Sequence, residues 1–240
     1  MNAPHTISGV PDELTTLVFD GDQTLWDFQS ALDRALAETR HEIARVTGLT
    51  LDRITTVAQM LDAPGRAVQD PSGASVHTIG KSTFRDVLTD LGVPTPEEHI
   101  EHVHQFFIGR RYEMCRPYRD TVPALRALGG SYRLVLFTNE HSYPERLGLG
   151  SLFSHTFVGT EMGLLKPSPA AYEHIAAACG AETLVSIGNS IGNDIVGPAS
   201  CGWRTVWINR DNLPLPNSAT PDAILTSLDG LEAALVRILA

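Results

Sequence analysis

Leu17-Val18-Phe19-Asp20-Gly21-Asp22-Gln23-Thr24-Leu25-Trp26 is the stretch that decides the fold. Its apolar run stops at a carboxylate, a second carboxylate follows two residues on, and a threonine comes two after that. Uninterrupted hydrophobicity marks a strand buried on both faces, as in a parallel sheet covered by helices, because a half-exposed strand alternates. The pattern recurs. Leu134 to Phe137 ends at Thr138, Leu184-Val185-Ser186-Ile187 runs through Gly188 to Asn189, and Thr205-Val206-Trp207-Ile208 ends at Asn209. Polar residues at the ends of such strands share one edge, where open α/β sheets bind ligands.

Helices are expected between these strands. Pro169–Cys179 is Ala-rich and stops at Gly180; Asn193–Cys201 stops at Gly202, with Pro198 awkwardly late; Leu228–Leu239 carries Leu228, Leu231, Leu235 and Ile238 at helical spacing. The interval after the first strand is different. About 90 residues separate Leu25 from Arg116, far more than a crossover needs. Apolar stripes suggest four helices there: Phe28, Leu32, Leu36, Ile43 and Val46; Ile54, Val57 and Leu61, ending near Pro64-Gly65; Phe84, Val87, Leu88 and Leu91; Ile100, Val103, Phe107 and Met114. The expectation is therefore an α/β core over residues 12–27 and 116–240, a small helical domain over 28–115, and a mobile tail over 1–11.

The chain has 240 residues, 42% of them hydrophobic and 19% charged, with a net charge of −10. It is long enough to bury a real core. The acidic balance argues against a nucleic-acid partner, which calls for a basic face. No apolar run approaches the about 20 residues of a membrane span, and the N-terminus lacks the basic flank and apolar stretch of a signal peptide. Cys115, Cys179 and Cys201 are too few and scattered for a disulfide framework or zinc site. Reduced thiols in a cytoplasm are expected.

Asp20 and Asp22 lie where a nucleophile and an acid/base would be useful, and paired carboxylates in a loop suit a divalent cation. Such residues also favour turns and caps, so the later elements matter. Thr138-Asn139 ends the second strand, Lys166 precedes a helix, and Asn189 and Asp194 flank the end of the third. Phosphoryl transfer needs this combination: a nucleophile, donors to the equatorial oxygens, a positive charge and Mg²⁺.

In this order, the motifs resemble those of the haloacid dehalogenase superfamily, over residues 17–210 and thus nearly the whole chain. The resemblance implies a Rossmann-like three-layer core with a parallel sheet, and a small α-helical cap inserted after the first motif. Only 27 residues lie between Thr138 and Lys166, so the other cap position is empty. It implies a Mg²⁺-dependent phosphatase acting on a small phosphorylated substrate through an aspartyl-phosphate. Asp20 would be the nucleophile and Asp22 the acid/base, its carbonyl also ligating Mg²⁺. Thr138, the Asn139 amide and Lys166 would bind phosphate. Asp20, Asp22, Asn189 and Asp194 would hold the metal, the last through water.

Three positions depart from the family pattern. Asn189 stands where Asp is common, removing a negative charge. Gln23 replaces a frequent Gly, which should alter the turn, and Glu140 replaces a small residue. These departures keep open a catalytically weak binding protein of the same fold. A phosphomutase uses the same carboxylate pair. A dehalogenase needs no leaving-group acid, so Asp22 argues against it. Receiver domains also group Asp, Thr and Lys around Mg²⁺, but their order and length do not fit. Trp26 and Phe28 are read as core packing, and His99 and His102 as a solvated helix face. Lys81, Arg110 and Arg111 are candidate cations toward an anionic substrate.

Overall fold

The computed structural model describes residues 15–62, 67–69, 75–77, 80–92, 97–139 and 142–240. The expected tail at 1–11, the turn at Pro64-Gly65 and Glu140 lie outside the described residues. The chain divides into two compact units, Met1–Asp27 with Pro117–Ala240, and Phe28–Arg116.

Strand β1 (Thr16–Phe19) is buried along its whole length. The second unit follows it in sequence with helices α1 (Phe28–Thr47) and α2 (Val57–Asp62), short strands β2 (Ala67–Gln69) and β3 (Ser75–His77), then α3 (Lys81–Asp90) and α4 (Glu97–Met114). Leu32, Leu36 and Ile43 of the first expected stripe are buried, in one cluster with Phe84, Ile100, Val103 and Phe107. The antiparallel pair β2–β3 was not expected from the sequence. Each strand has three residues, too few for a period of two to stand out.

The first unit resumes with α5 (Thr121–Leu128), β4 (Arg133–Thr138), β5 (His155–Val158), the single turn α6 (Gly159–Met162), α7 (Pro169–Cys179), β6 (Leu184–Gly188), the short helix α8 (Gly197–Ser200), β7 (Arg204–Ile208), β8 (Ala223–Leu225) and α9 (Leu231–Ile238). The six strands are ordered β5-β4-β1-β6-β7-β8, and all pairs are parallel. Alternate residues face opposite layers. Val18, Val135 and Phe137 join Ala171, Tyr172 and Ile175 of α7, while Leu17, Phe19, Leu134 and Leu136 are equally buried. Beyond β1 the order runs to β4 on one side and to β6 on the other, the switch point at which such sheets bind ligands.

Two helix boundaries differ from expectation. Leu228 precedes α9, which starts after Gly230 at φ 84°. The helix expected over Asn193–Cys201 is a π-helical turn, Ile191–Val196, followed by α8, so Pro198 falls in a first turn, where no amide is needed. Among the described residues no helix is long and apolar enough to cross a membrane.

One ion pair fastens the start of α5 to distant segments. Asp120 accepts two bonds from the Arg210 guanidinium, at 2.9 and 3.1 Å, and one from the Leu228 amide at 2.7 Å. Arg210 also donates to the Thr24 carbonyl at 2.8 Å and lies 3.8 Å over the Tyr118 ring. Both charges are mostly withdrawn from water, at 8% and 15% exposure. Asp120→Ala is expected to cost about 3–5 kcal/mol in urea unfolding, since Arg210 loses the carboxylate that balances its charge. Asp120→Asn, which keeps one acceptor oxygen, should cost less. An unchanged midpoint in Asp120→Ala would remove this pair from the fold's supports.

Candidate active site

The carboxyl ends of β1, β4 and β6 adjoin, so Asp20, Thr138 and Asn189 come to one edge of the sheet. The Asp20 amide prolongs the ladder, donating to the Ile187 carbonyl at 2.9 Å. Lys166 enters from the segment before α7. Its ammonium donates to Asp20 Oδ1 and to Asp194 Oδ1, each at 2.8 Å, and lies 5.2 Å over the Phe137 ring, a favourable placement for a cation. The three side chains are 4%, 13% and 2% exposed, respectively.

Burial shapes the protonation of this group. It would push the Lys166 ammonium down, but the two adjoining carboxylates outweigh it and raise the pKa instead. Burial raises Asp20, against the pull of Lys166. It also pushes Asp194 up to about 6, again opposed by Lys166 and helped by the like charge of Asp20.

Asp194 is held by two donors. One oxygen takes the Lys166 ammonium and the other the Ser190 amide at 2.9 Å. Asp194 therefore reaches Asp20 through their shared Lys166. The π-helical turn carries it back beneath the end of β6, and Gly188 makes room. A Cβ at residue 188 would stand 2.3 Å from the Asp194 carboxyl carbon.

Asp20 Oδ2 and Asn189 Oδ1 lie 3.2 and 3.1 Å from the Thr24 hydroxyl, bringing a carboxylate and a neutral carbonyl oxygen together. Among the described residues no group of three His, Cys, Asp or Glu side chains could hold a metal. The donors here are instead a carboxylate and an amide oxygen. They fit Mg²⁺, which binds through one or two carboxylates and keeps several waters. Charge supports this fit, because two carboxylates share one ammonium and the cluster is left net negative.

Asp22 is gripped from two sides. Trp26 Nε1 donates to its Oδ1 at 2.6 Å, and the Ser142 hydroxyl lies 2.8 and 3.1 Å from its two oxygens. Gln23 has φ 60°. This left-handed backbone suits glycine and costs another residue roughly 1–2 kcal/mol, so the turn keeps a glycine-like conformation despite the substitution. Thr138 is buried at the end of β4. Asn139 has a part beyond its expected amide role: its side chain accepts from the Lys166 amide at 2.7 Å and donates to the Lys166 carbonyl at 2.9 Å, locking that segment in place.

Trp26, Ser142 and the Asn139 side chain were not read from the sequence as site residues. The four-residue step from Asp22 to Trp26 was the only hint, and it names no direction. In the other unit, Lys81 meets Glu97 and Glu101, Arg110 meets Glu38 and Glu113, and Arg111 lies over Phe28, so these cations have partners of their own. His102 pairs with Glu42.

A model of the haloacid dehalogenase-like hydrolases matches residues 14–202. The pyrimidine 5′-nucleotidase YjjG of Escherichia coli K12 is 26% identical over 143 residues, 56% of this chain and 64% of that enzyme, so the match spans less than two thirds of it. The putative HAD-hydrolase YfnB of Bacillus subtilis 168 is 25% identical over 90% of this chain and 93% of its own. A structure of YfnB bound to magnesium has a TM-score of 0.67 at 22% identity, over 93% and 99% of the two chains. The 2-haloacid dehalogenase of Pseudomonas syringae pv. Tomato DC3000 superposes with a TM-score of 0.74, at 22% identity over 94% and 99%. The structural likenesses speak for the fold alone.

Gly188→Ala is expected to destabilise the protein by about 1–3 kcal/mol, because the new methyl group displaces the Asp194 carboxylate. In an Asp194→Ala background the cost should fall, since the two changes share one space. Additive losses in thermal or urea unfolding would show that Gly188 is not there to admit Asp194.

Proposed function

Given that the chain belongs to the haloacid dehalogenase-like hydrolases and is a hydrolase, we propose that it is a Mg²⁺-dependent phosphatase of a small phosphorylated metabolite. The observation that carries this reading is the Lys166 ammonium, 2.8 Å from both Asp20 and Asp194, with Asp22 held two residues beyond Asp20. Lys166 and Thr24 keep the Asp20 carboxylate in one orientation. One of its oxygens attacks phosphorus, and the phosphorus–ester oxygen bond breaks as that oxygen takes a proton from Asp22. An aspartyl-phosphate remains on Asp20. Asp22 then accepts a proton from water, whose oxygen attacks phosphorus and releases inorganic phosphate and the Asp20 carboxylate. Thr138, the Asn139 amide and Lys166 take the phosphoryl oxygens. Asp20, Asn189 and the Asp22 carbonyl would hold Mg²⁺, with Asp194 reaching it through water, and the ion would supply charge neutralisation.

A dehalogenase shares the fold, and Asp22 separates the two readings. A departing halide needs no proton, whereas an alkoxide does. Among substrates, pyrimidine 5′-nucleotides head the panel because YjjG bears that activity in its name; sugar phosphates follow. A cytoplasmic setting accords with three cysteines that form no disulfide, and the net charge of −10 turns the chain away from nucleic acids.

Asp20→Asn is expected to keep the circular dichroism of the parent and lose phosphate release by about three orders of magnitude or more, because an amide is no anionic nucleophile. Release from the panel with and without Mg²⁺, beside chloride release from a 2-chloro acid, tests the reading. Phosphate release untouched by Asp20→Asn, or chloride release in its stead, would overturn it.

Asn189→Asp should lower the Mg²⁺ concentration for half-maximal activity, since it adds a hard anionic oxygen beside Asp20. A Mg²⁺ titration of both proteins decides. An unchanged or weaker requirement would place Asn189 outside the metal's shell.

A further inference from the structure

The loop between β1 and Trp26 is built around an indole. Trp26 is 1% exposed, and its ring occupies the space any side chain at residue 21 would need. A Cβ on Gly21 would stand 2.3 Å from Trp26 Cζ2 and 2.8 Å from Cη2. The main chain closes the same loop, with the Gln23 amide donating to the Trp26 carbonyl at 2.9 Å and the Leu25 amide to the Gly21 carbonyl at 2.8 Å. The Leu25 carbonyl is itself held by the Thr121 hydroxyl at 2.6 Å and the Tyr118 amide at 3.0 Å. The indole is thus carried by a loop closed through main-chain bonds, and its one polar atom reaches Asp22 at 2.6 Å.

Ser142, 6% exposed, meets the same carboxylate from a segment 120 residues away in sequence. The two donors differ in kind. An indole N–H only donates, so it fixes an oxygen in place. A hydroxyl donates to a carboxylate and turns to accept from a carboxylic acid. Neither carries a charge that would compete with Lys166 for phosphate.

We infer that Trp26 and Ser142 are positioning residues for proton transfer by Asp22, with Gly21 the vacancy that admits the indole. The inference rests on the acid/base reading of Asp22. Trp26 holds the carboxyl plane while the proton moves from Asp22 to the ester oxygen, and Ser142 follows the change in protonation by rotating. A carboxyl group left to wander delivers its proton late. That matters for an alkoxide leaving group and little for a nitrophenolate, which departs unaided.

The test compares phosphate release from an alkyl phosphate and from p-nitrophenyl phosphate in four variants: Asp22→Asn, Trp26→Phe, Ser142→Ala and Ser142→Thr. Trp26→Phe keeps an aromatic ring in the space but removes the N–H together with part of the fused ring, so any loss from the smaller ring should fall on both esters alike. Trp26→Phe and Ser142→Ala should each lose about tenfold more kcat on the alkyl ester than on the nitrophenyl ester, with KM little changed, and Ser142→Thr should recover most of that loss. A purely structural role would depress both substrates together. Equal losses in Asp22→Asn itself would sink the acid role and the reading beneath the inference. If Asp22→Asn discriminates between the esters while Trp26→Phe and Ser142→Ala do not, the inference alone is overturned. Should Trp26→Phe fail to fold, the two Ser142 variants decide.

Discussion

A lysine ammonium buried between two carboxylates is costly on its own terms: three charges leave water, and only their mutual geometry repays the desolvation. Here Lys166 meets Asp20 and Asp194 at equal distances, and much of the surrounding structure exists to make that geometry possible. Asp20 needs β1 to be central, so that its carboxylate emerges between two neighbouring strands. Asp194 needs a π-helical turn to fold back, and a glycine at 188 to fold into. Lys166 needs its segment pinned, which the Asn139 amide does by pairing with both polar groups of its main chain. Losing any of these supports would leave an uncompensated buried charge.

The same arrangement explains why the chemistry gathers where it does. β1 has β4 on one side and β6 on the other, so three strand ends contribute in one place without a long loop to carry any of them. The carboxylate cluster is net negative and partly shut off from water. Such a cluster accepts an anionic group only with further positive charge, so the protein's own electrostatics point toward a cation.

Much of this was legible in advance. Runs such as Leu134 to Phe137 announce doubly buried strands, and a polar residue at the end of each lies by geometry on the common edge. That is why Asp20, Thr138 and Asn189 could be grouped from sequence, with Lys166 and Asp194 joined to them by the needs of phosphoryl transfer before the family resemblance gave each a role. Direction was not legible. Nothing in the spacing of Asn189 and Asp194 tells that the second turns inward to a lysine. The Asn139 side chain, Ser142 and Trp26 were missed for a related reason: each acts through a contact fixed only when distant segments meet. Short strands such as β2, β3 and β8, with three residues each, are below the length at which a pattern separates from chance.

The Thr24 hydroxyl has a shortage built into it. It carries one proton yet lies within hydrogen-bond distance of two side-chain oxygens, one on Asp20 and one on Asn189. An amide resolves this in a way a carboxylate does not: turned half a revolution about its last bond, Asn189 offers an N–H to the hydroxyl, which is then at liberty to give its proton to Asp20. Asparagine thus makes the trio self-sufficient in hydrogen. An aspartate at the same position would contend with Asp20 for the single proton and would need an outside cation to settle the dispute. The residue that looks like a defect by comparison with the family is, on these terms, one that lets the surroundings of Asp20 hold together through hydrogen bonds alone.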